Sequence, residues 1–310
     1  MVSRRKLASS LIWFNRKGEN TGSAGQLDRG GQAPRELSEP KLSADGKRIA
    51  LVIPDKETGN RDIWLMEAAT GAMTRFTFNS ANDWGPVWSP DGAFIAFASD
   101  RNAKSSIYRK AVNGSGEEEL LVPPQSAGGV FPRDWSPDGR FILYNLDKGS
   151  QSLWLSPIAG ERKPIPLLSS SEFLSPEGRF SPDGKWVAYV SSESGAAEVY
   201  VKPLAAAGKI RVSCNGGSLP QWRRDGKEIF YMAPGGNLMA AAVRAGDTFE
   251  AGTPKRLFRT CSSNVVLRTS EIYYDVSPDG NRFLMPCRAP EANQRSITVS
   301  INWLAAVTRR

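Results

Sequence analysis

The tetrapeptide Ser-Pro-Asp-Gly is written four times in this chain, at 89–92, 136–139, 181–184 and 277–280, and worn versions stand at Ser43-Ala44-Asp45-Gly46 and Arg223-Arg224-Asp225-Gly226. Proline pre-sets φ at the second position of a turn, aspartate tolerates the third, and glycine takes a positive φ at the fourth. Such a turn closes a β-hairpin, and a left-handed last residue lets the two strands meet with the correct twist. Each copy therefore joins two antiparallel strands.

The turn aspartates Asp45, Asp91, Asp138, Asp183, Asp225 and Asp279 are separated by 46, 47, 45, 42 and 54 residues. A period in the forties with several short strands per unit is the signature of propeller blades. A short segment ending in a bulky residue precedes the turn in most copies, as in Pro86-Val87-Trp88, Arg133-Asp134-Trp135 and Pro220-Gln221-Trp222; it reads as the inner strand. After the turn runs an apolar strand, such as 94–99 or 186–191, as expected where both faces of a sheet are covered. A third strand with a central aromatic or β-branched residue in most copies follows (62–67, 106–111, 152–157, 198–203, 237–242 and 296–301), then a more polar outer one. The expectation is an all-β, six-bladed β-propeller of four-stranded antiparallel blades, with a seven-bladed or incomplete ring as the alternative.

The last repeat, ending at Ile301-Asn302-Trp303, lacks a fourth strand, while Leu11-Ile12-Trp13-Phe14 and Glu19-Asn20-Thr21 stand ahead of the first complete unit. An open sheet edge is a liability that a ring abolishes. Residues 1–34 are accordingly read as a segment that partly completes the last blade, 35–304 as the propeller repeats and 305–310 as a basic tail. The apolar stretch between Lys6 and Asn15 is too short for an export signal or a membrane span.

Histidine is absent from all 310 residues. A Ser-His-Asp or Cys-His arrangement and a histidine-ligated metal are therefore excluded, and the commonest general base is missing. Three cysteines, Cys214, Cys261 and Cys287, form an odd set without paired spacing, which reads as ordinary thiols rather than a disulfide framework or zinc site. The net charge of +8 is spread along the chain, with its densest groups at the ends, which argues against nucleic acid as a partner.

Taken together, the segments NRDIWLMEAATGAMTRFTF, DWGPVWSPDG, RFSPDGKWVAYVSSESGAAEVYVKPL and LPQWRRDGKEIFYM resemble the TolB-like, WD-repeat-like propellers, most closely the propeller region C-terminal to the kinase in bacterial serine/threonine-kinase fusions. That resemblance, over roughly residues 11–304, implies a non-enzymatic propeller for protein association or ligand sensing. It imports no kinase activity, because the chain has no Gly-rich phosphate loop, strand lysine in a Val-Ala-Ile-Lys context, Asp-Phe-Gly or catalytic-loop histidine.

The six turn aspartates read as structural, since each carboxylate can bond backbone N–H groups within its own turn. Trp88, Trp135 and Trp222, with Phe180 at the matching place, read as packing between sheets rather than as stacking platforms. The polar residues that vary between blades at the start of the inner strand are Asp83, Trp84, Arg133, Asp134, Glu177, Arg179, Gln221, Tyr274 and Asp275. Inner strands line the axial channel, so these side chains are expected to gather at its mouth and to suit a protein or peptide partner or a small polar ligand. No cofactor or metal is expected, and a monomer is. An enzyme without histidine would have to use carboxylates, as glycoside hydrolysis does; Asp83, Asp134, Glu177 and Asp275 are the possible partners. A gate for a peptidase domain finds no Gly-x-Ser-x-Gly elbow in its support.

Overall fold

The computed structural model describes residues 9–24, 37–55, 57–125, 128–147, 151–169, 177–261 and 274–288. Within these the chain is a six-bladed β-propeller. The first blade contains β3 (Ser38–Leu42), β4 (Arg48–Pro54), β5 (Arg61–Glu67) and β6 (Met73–Arg75). The second follows as β7 (Asp83–Trp88), β8 (Phe94–Ser99), β9 (Ser106–Ala111) and β10 (Glu119–Val122). The third is β11 (Val130–Trp135), β12 (Phe141–Asp147), β13 (Gln151–Pro157) and β14 (Ile165–Ser169). The fourth is β15 (Arg179–Phe180), β16 (Trp186–Ser191), β17 (Glu198–Pro203) and β18 (Ile210–Arg211).

The fifth blade departs from the repeat. Its strands β19 (Ser218–Trp222), β20 (Glu228–Ala233) and β21 (Asn237–Ala245) follow the pattern, but β21 is nine residues long and pairs with both β22 (Phe249–Ala251) and β23 (Lys255–Arg259). This extra hairpin, not foreseen from the sequence, accounts for part of the long last interval between turn aspartates.

The sixth blade is assembled from both ends of the chain. β24 (Asp275–Val276) and β25 (Arg282–Arg288) supply its inner half, and β1 (Ser9–Asn15) pairs with β25 in unbroken register from Ser9 opposite Arg288 to Asn15 opposite Arg282. β2 (Asn20–Ser23) forms the outer edge. The strand expected at 296–301 lies outside the described residues. Within this sheet, the place beside β25 belongs to β1.

The alternating period of a strand sends successive side chains to opposite faces. Along β8, Ile95 and Phe97 pack toward the first blade, whereas Ala96 packs toward the third. Every seam of the ring is filled in this way by one apolar cluster, six in all among the described residues. Trp88, Trp135 and Phe180 are buried in these seams. Two indoles also stitch neighbours, since Trp88 Nε1 donates to Lys41 O at 2.9 Å and Trp222 Nε1 to Arg179 O at 3.2 Å.

The expectation of three ordinary thiols is corrected. Cys261 and Cys287 form a disulfide, their Cα atoms 5.7 Å apart, while Cys214 is free and exposed. Their sequence separation of 26 matches no recognisable spacing. The pairing arises because the end of β23 in the fifth blade meets the end of β25 in the sixth. The cross-link thus spans the seam between the fifth blade and the sixth, in whose sheet the two chain ends meet. No helix among the described residues is long and apolar enough to cross a membrane.

Candidate functional site

The inner strands are irregular in a way that serves the axis. Pairing registers shift between Ser38 and Lys41, Trp84 and Val87, Pro132 and Asp134, and Ser218 and Gln221. Within three of these breaks one residue has a left-handed backbone: Glu39 at φ 53°, Gly85 at 64° and Leu219 at 53°. A bulge inserts an unpaired residue and re-aims side chains. Here it turns them out of the seams toward the centre of the ring.

Electrostatic neighbours show the convergence. Lys41, in the first blade, is within reach of Asp134 in the third, Glu177 and Arg179 at the fourth, and Asp275 in the sixth. Glu39 feels Arg133 of the third blade, and so does Glu177. Charges on opposite sides of a ring influence one another only across its axis. Glu39, Lys41, Arg133, Asp134, Glu177, Arg179 and Asp275 therefore line one charged layer of the channel, with Gln221 and Tyr274 completing its wall.

Most of this chemistry is already engaged. Four carboxylates bridge to the inner strand of the next blade: Glu39 accepts from Gly85 N at 2.6 Å, Asp134 from Phe180 N at 2.8 Å, Glu177 from Leu219 N at 2.7 Å and Asp275 from Leu42 N at 2.7 Å. Asp134 and Asp275 each also accept the N–H of the following residue at 3.0 Å. The Arg179 guanidinium donates to the carbonyls of Arg133 and Gly178 and to Gln221 Oε1. Arg133 donates to Asn145 Oδ1 at 2.7 Å, and the Tyr274 hydroxyl to Leu219 O at 3.1 Å. Lys41 differs. It donates no hydrogen bond to any described residue and has no described carboxylate at ion-pair distance, although it is enclosed by the channel and only half exposed.

Removal from water disfavours charge. Burial raises the carboxyl groups of Glu39, Asp134 and Glu177 above their ordinary values, against the opposing pull of the amide bonds and guanidinium groups. The Tyr274 hydroxyl is likewise pushed well up by burial. Lys41 is driven the other way, down to about 8, by burial first and by Arg179 second, while the nearby carboxylates oppose the shift.

Of the residues expected at the mouth, Asp83 lies elsewhere, and Trp84 is engaged with a neighbouring inner strand. Asp83 is wholly buried on the seam between the first and second blades, where Arg101 pairs with it at 3.4 Å, and its Oδ2 has no hydrogen-bond partner. Trp84 packs against Phe131 at 6.1 Å on the next seam. The turn aspartates lie at the far end of the inner strands. In five turns the Ser hydroxyl donates to the Asp carboxylate, and in all six the carboxylate accepts the N–H two residues on. The worn copy at Asp225 has arginine in place of that serine.

Glu39 and Lys41 were missed by sequence reasoning. A signal existed, because 39 and 41 precede Asp45 by the same offsets as Glu177 and Arg179 precede Asp183. The first repeat has lost its proline from the turn, which hid the alignment.

Residues 23–151 match the family described as PD40, TolB beta propeller domain. Over those residues the chain is similar to TolB-type β-propeller domains. A stretch of 93 residues is 30% identical to the uncharacterized peptidase YuxL of Bacillus subtilis, covering 28% of this chain and 14% of that protein. Another of 76 residues is 34% identical to the Tol-Pal system protein TolB of Francisella tularensis, covering 24% of this chain and 17% of that protein. The matched parts thus span less than a fifth of those relatives' lengths. In three dimensions the ring superposes on a candidate TolB of Agrobacterium tumefaciens with a TM-score of 0.67, over 92% of this chain and 99% of that one, at 19% identity. That is a likeness of fold.

Proposed function

We propose that this TolB-type propeller is a non-catalytic binding module that holds a protein or peptide segment, or a small polar ligand, at the mouth of its channel. The observation that carries this reading is the gathering of seven charged side chains from four blades into one enclosed layer, across distances of up to more than two hundred residues in sequence. Burying charge is costly, and clefts that do so are candidate sites. The carboxylates favour binding over chemistry because each is held by a backbone N–H of the neighbouring blade. A sensor or scaffold role in a bacterial kinase-type or TolB-type system fits the same geometry. The name of the Bacillus relative suggests a further setting, a propeller beside a peptidase; a chain without histidine does not itself supply a Ser-His-Asp triad.

One observation favours a second reading. Asp134 and Glu177 both have carboxyl groups raised by burial, as a general acid requires, so a carboxylate-dependent, glycosidase-like hydrolase is the alternative. The test uses amides that keep the acceptor for the next blade's N–H: a triple change of Glu39→Gln, Asp134→Asn and Glu177→Gln. The binding reading expects partners captured from a bacterial lysate to lose at least tenfold in affinity while the unfolding midpoint is little changed. Glycoside turnover that disappears in the triple variant would establish the hydrolase instead, and capture indifferent to all three changes would move binding away from the channel.

A further inference from the structure

We infer that the face of the ring opposite the mouth carries a second docking site, a cavity between the second and third blades that takes an aromatic side chain from a loop of a partner protein. It does not depend on the channel reading.

The cavity measures about 500 Å³ and is walled by Phe94 and Arg109 of the second blade, Trp135 and Ile158 of the third, and the turn residues Asp91 and Asp138. That size falls within the range of ligand pockets, roughly 300–1,000 Å³. Phe94 and Ile158 are half-exposed at its wall, packed against the apolar cluster that fills the rest of the seam.

What it takes is indicated by another seam of the same molecule. Trp186 follows its turn aspartate by three residues, as Phe94 follows Asp91, and Trp222 precedes its own by three, as Trp135 precedes Asp138. Val243 N donates to Lys227 O at 2.8 Å, as Ile158 N does to Arg140 O at 2.9 Å. The walls between the fourth and fifth blades thus repeat those between the second and third. There the chain fills the space itself. Phe249, on the extra hairpin of β21 and β22, is buried with its ring 5.4 Å from that of Trp186 and 6.1 Å, edge-on, from that of Trp222. Such tilted and edge-to-face arrangements are the ones aromatic pairs prefer. β13 ends at Pro157 and the chain goes on to β14, so the third blade brings no hairpin of that kind to its own seam.

The rim sets which aromatic segment fits. Asp247 of the hairpin faces Lys185 at 3.5 Å, whereas Ala93 stands at the matching place in the second blade. Asp138 pairs with Arg140 at 2.6 Å and Arg109 with Glu119, but Asp91 has no cation at ion-pair distance among the described residues. A lysine or arginine beside the aromatic residue suits this rim. An exposed pair adds little affinity, so the ring supplies the attraction and the charge the selection.

The probe is a cyclised, labelled hairpin copying Val243–Ala251 with Asp247→Lys, titrated by fluorescence anisotropy against the full chain. It should bind at least tenfold more tightly than the same hairpin with Phe249→Ala. In the protein, Ile158→Trp, which fills the cavity, and Phe94→Ala, which removes a wall, should each weaken the probe at least tenfold while circular dichroism stays unchanged. A probe with benzoylphenylalanine at the Phe249 position needs no variant to fold, and on irradiation should cross-link to the unsubstituted chain within 89–94, 135–139 or at Ile158. The triple amide variant of the channel should bind the probe as the wild type does. Equal binding of the two hairpins, or cross-links confined to other segments, overturns the inference. Loss of the probe in the channel variant does so too, by placing it at the mouth. If lysate partners depend on the channel while the two hairpins bind alike, the channel reading stands and only this site falls.

Discussion

Glu177 Oε2 accepts the backbone N–H of Leu219 at 2.7 Å across the gap between the fourth and fifth blades. Glu39 does the same for Gly85 between the first and second. The same offset before the turn thus yields the same bond in blades on opposite sides of the ring. Leu219 sits at φ 53°, a conformation a branched side chain occupies only when its surroundings enforce it. Glu177→Ala leaves that amide without its acceptor and should cost about 1–3 kcal/mol, whereas Glu177→Gln retains a carbonyl and should cost under about 1 kcal/mol. Urea midpoints of the two variants check this; equal losses would show that the charge, not the acceptor, matters.

The ring is closed by β1 on β25 within the sixth blade, and Cys261 is linked to Cys287 across the adjoining seam to the fifth. Closing 26 residues of the unfolded chain corresponds to about 3 kcal/mol in the loop-entropy account. Reduction should lower the thermal midpoint, and Cys261→Ala should reproduce the loss without reductant. A thiol titration of the denatured, unreduced protein should find one thiol, that of Cys214, and three after reduction. Three thiols from the start would remove the cross-link.

Leu11 is fully buried on β1 against Ile49, Leu51 and Leu284. Leu11→Ala should therefore destabilise the entire ring by about 2–5 kcal/mol. The loss should appear in one cooperative transition, because an open sixth blade exposes a sheet edge. A separate early transition confined to the first strand would show that closure is dispensable to the other blades.

Titration of the channel should act in two directions. Glu39, Asp134 and Glu177 are raised above their ordinary values, so the folded state binds more protons than the unfolded one, and their contribution to stability falls as pH rises upward from the ordinary carboxyl range. Lys41 moves from 10.5 to about 8. There the folded state binds fewer protons, and stability rises between pH 8 and 10.5. Relative to Lys41→Met, the wild type should gain up to about 3 kcal/mol across that interval. Parallel curves for the two proteins would place Lys41 in ordinary solvent.

The turn supplies a control far from the channel. Gly92 has φ 70° with open space around its missing side chain, so Gly92→Val should cost about 1–3 kcal/mol through backbone strain alone. Asp91 accepts Ser89 Oγ–H at 2.5 Å and Ala93 N–H at 2.9 Å, and those bonds hold its carboxyl below the ordinary value. Asp91→Asn should be mild at neutral pH and should leave binding at the channel mouth unchanged. Loss of that binding with an intact midpoint would move it to the turn face.

The blades were legible in the sequence because the turn is local chemistry: proline, aspartate and glycine fix backbone angles within four residues, and the period of the turns fixes the number of sheets. The alternation of apolar side chains likewise told which strands are covered on both faces. Arg133, Asp134, Glu177, Arg179 and Asp275 could be nominated from their offset before the turn. Their partnership could not, since it depends on where opposite blades meet. Asp83 shares the offset region of β7 yet faces a seam, because the register break after Trp84 follows it in the strand and cannot re-aim it toward the axis. Cys261 and Cys287 carried no spacing signal; only the docking of β23 beside β25 brings them within bonding distance. Nor did the first repeat announce Lys41, whose turn is worn. Local sequence determined the turns and strands, while tertiary structure alone decided which charges share the axis and which one is left without a counterpart, because a ring brings together residues that the chain keeps far apart.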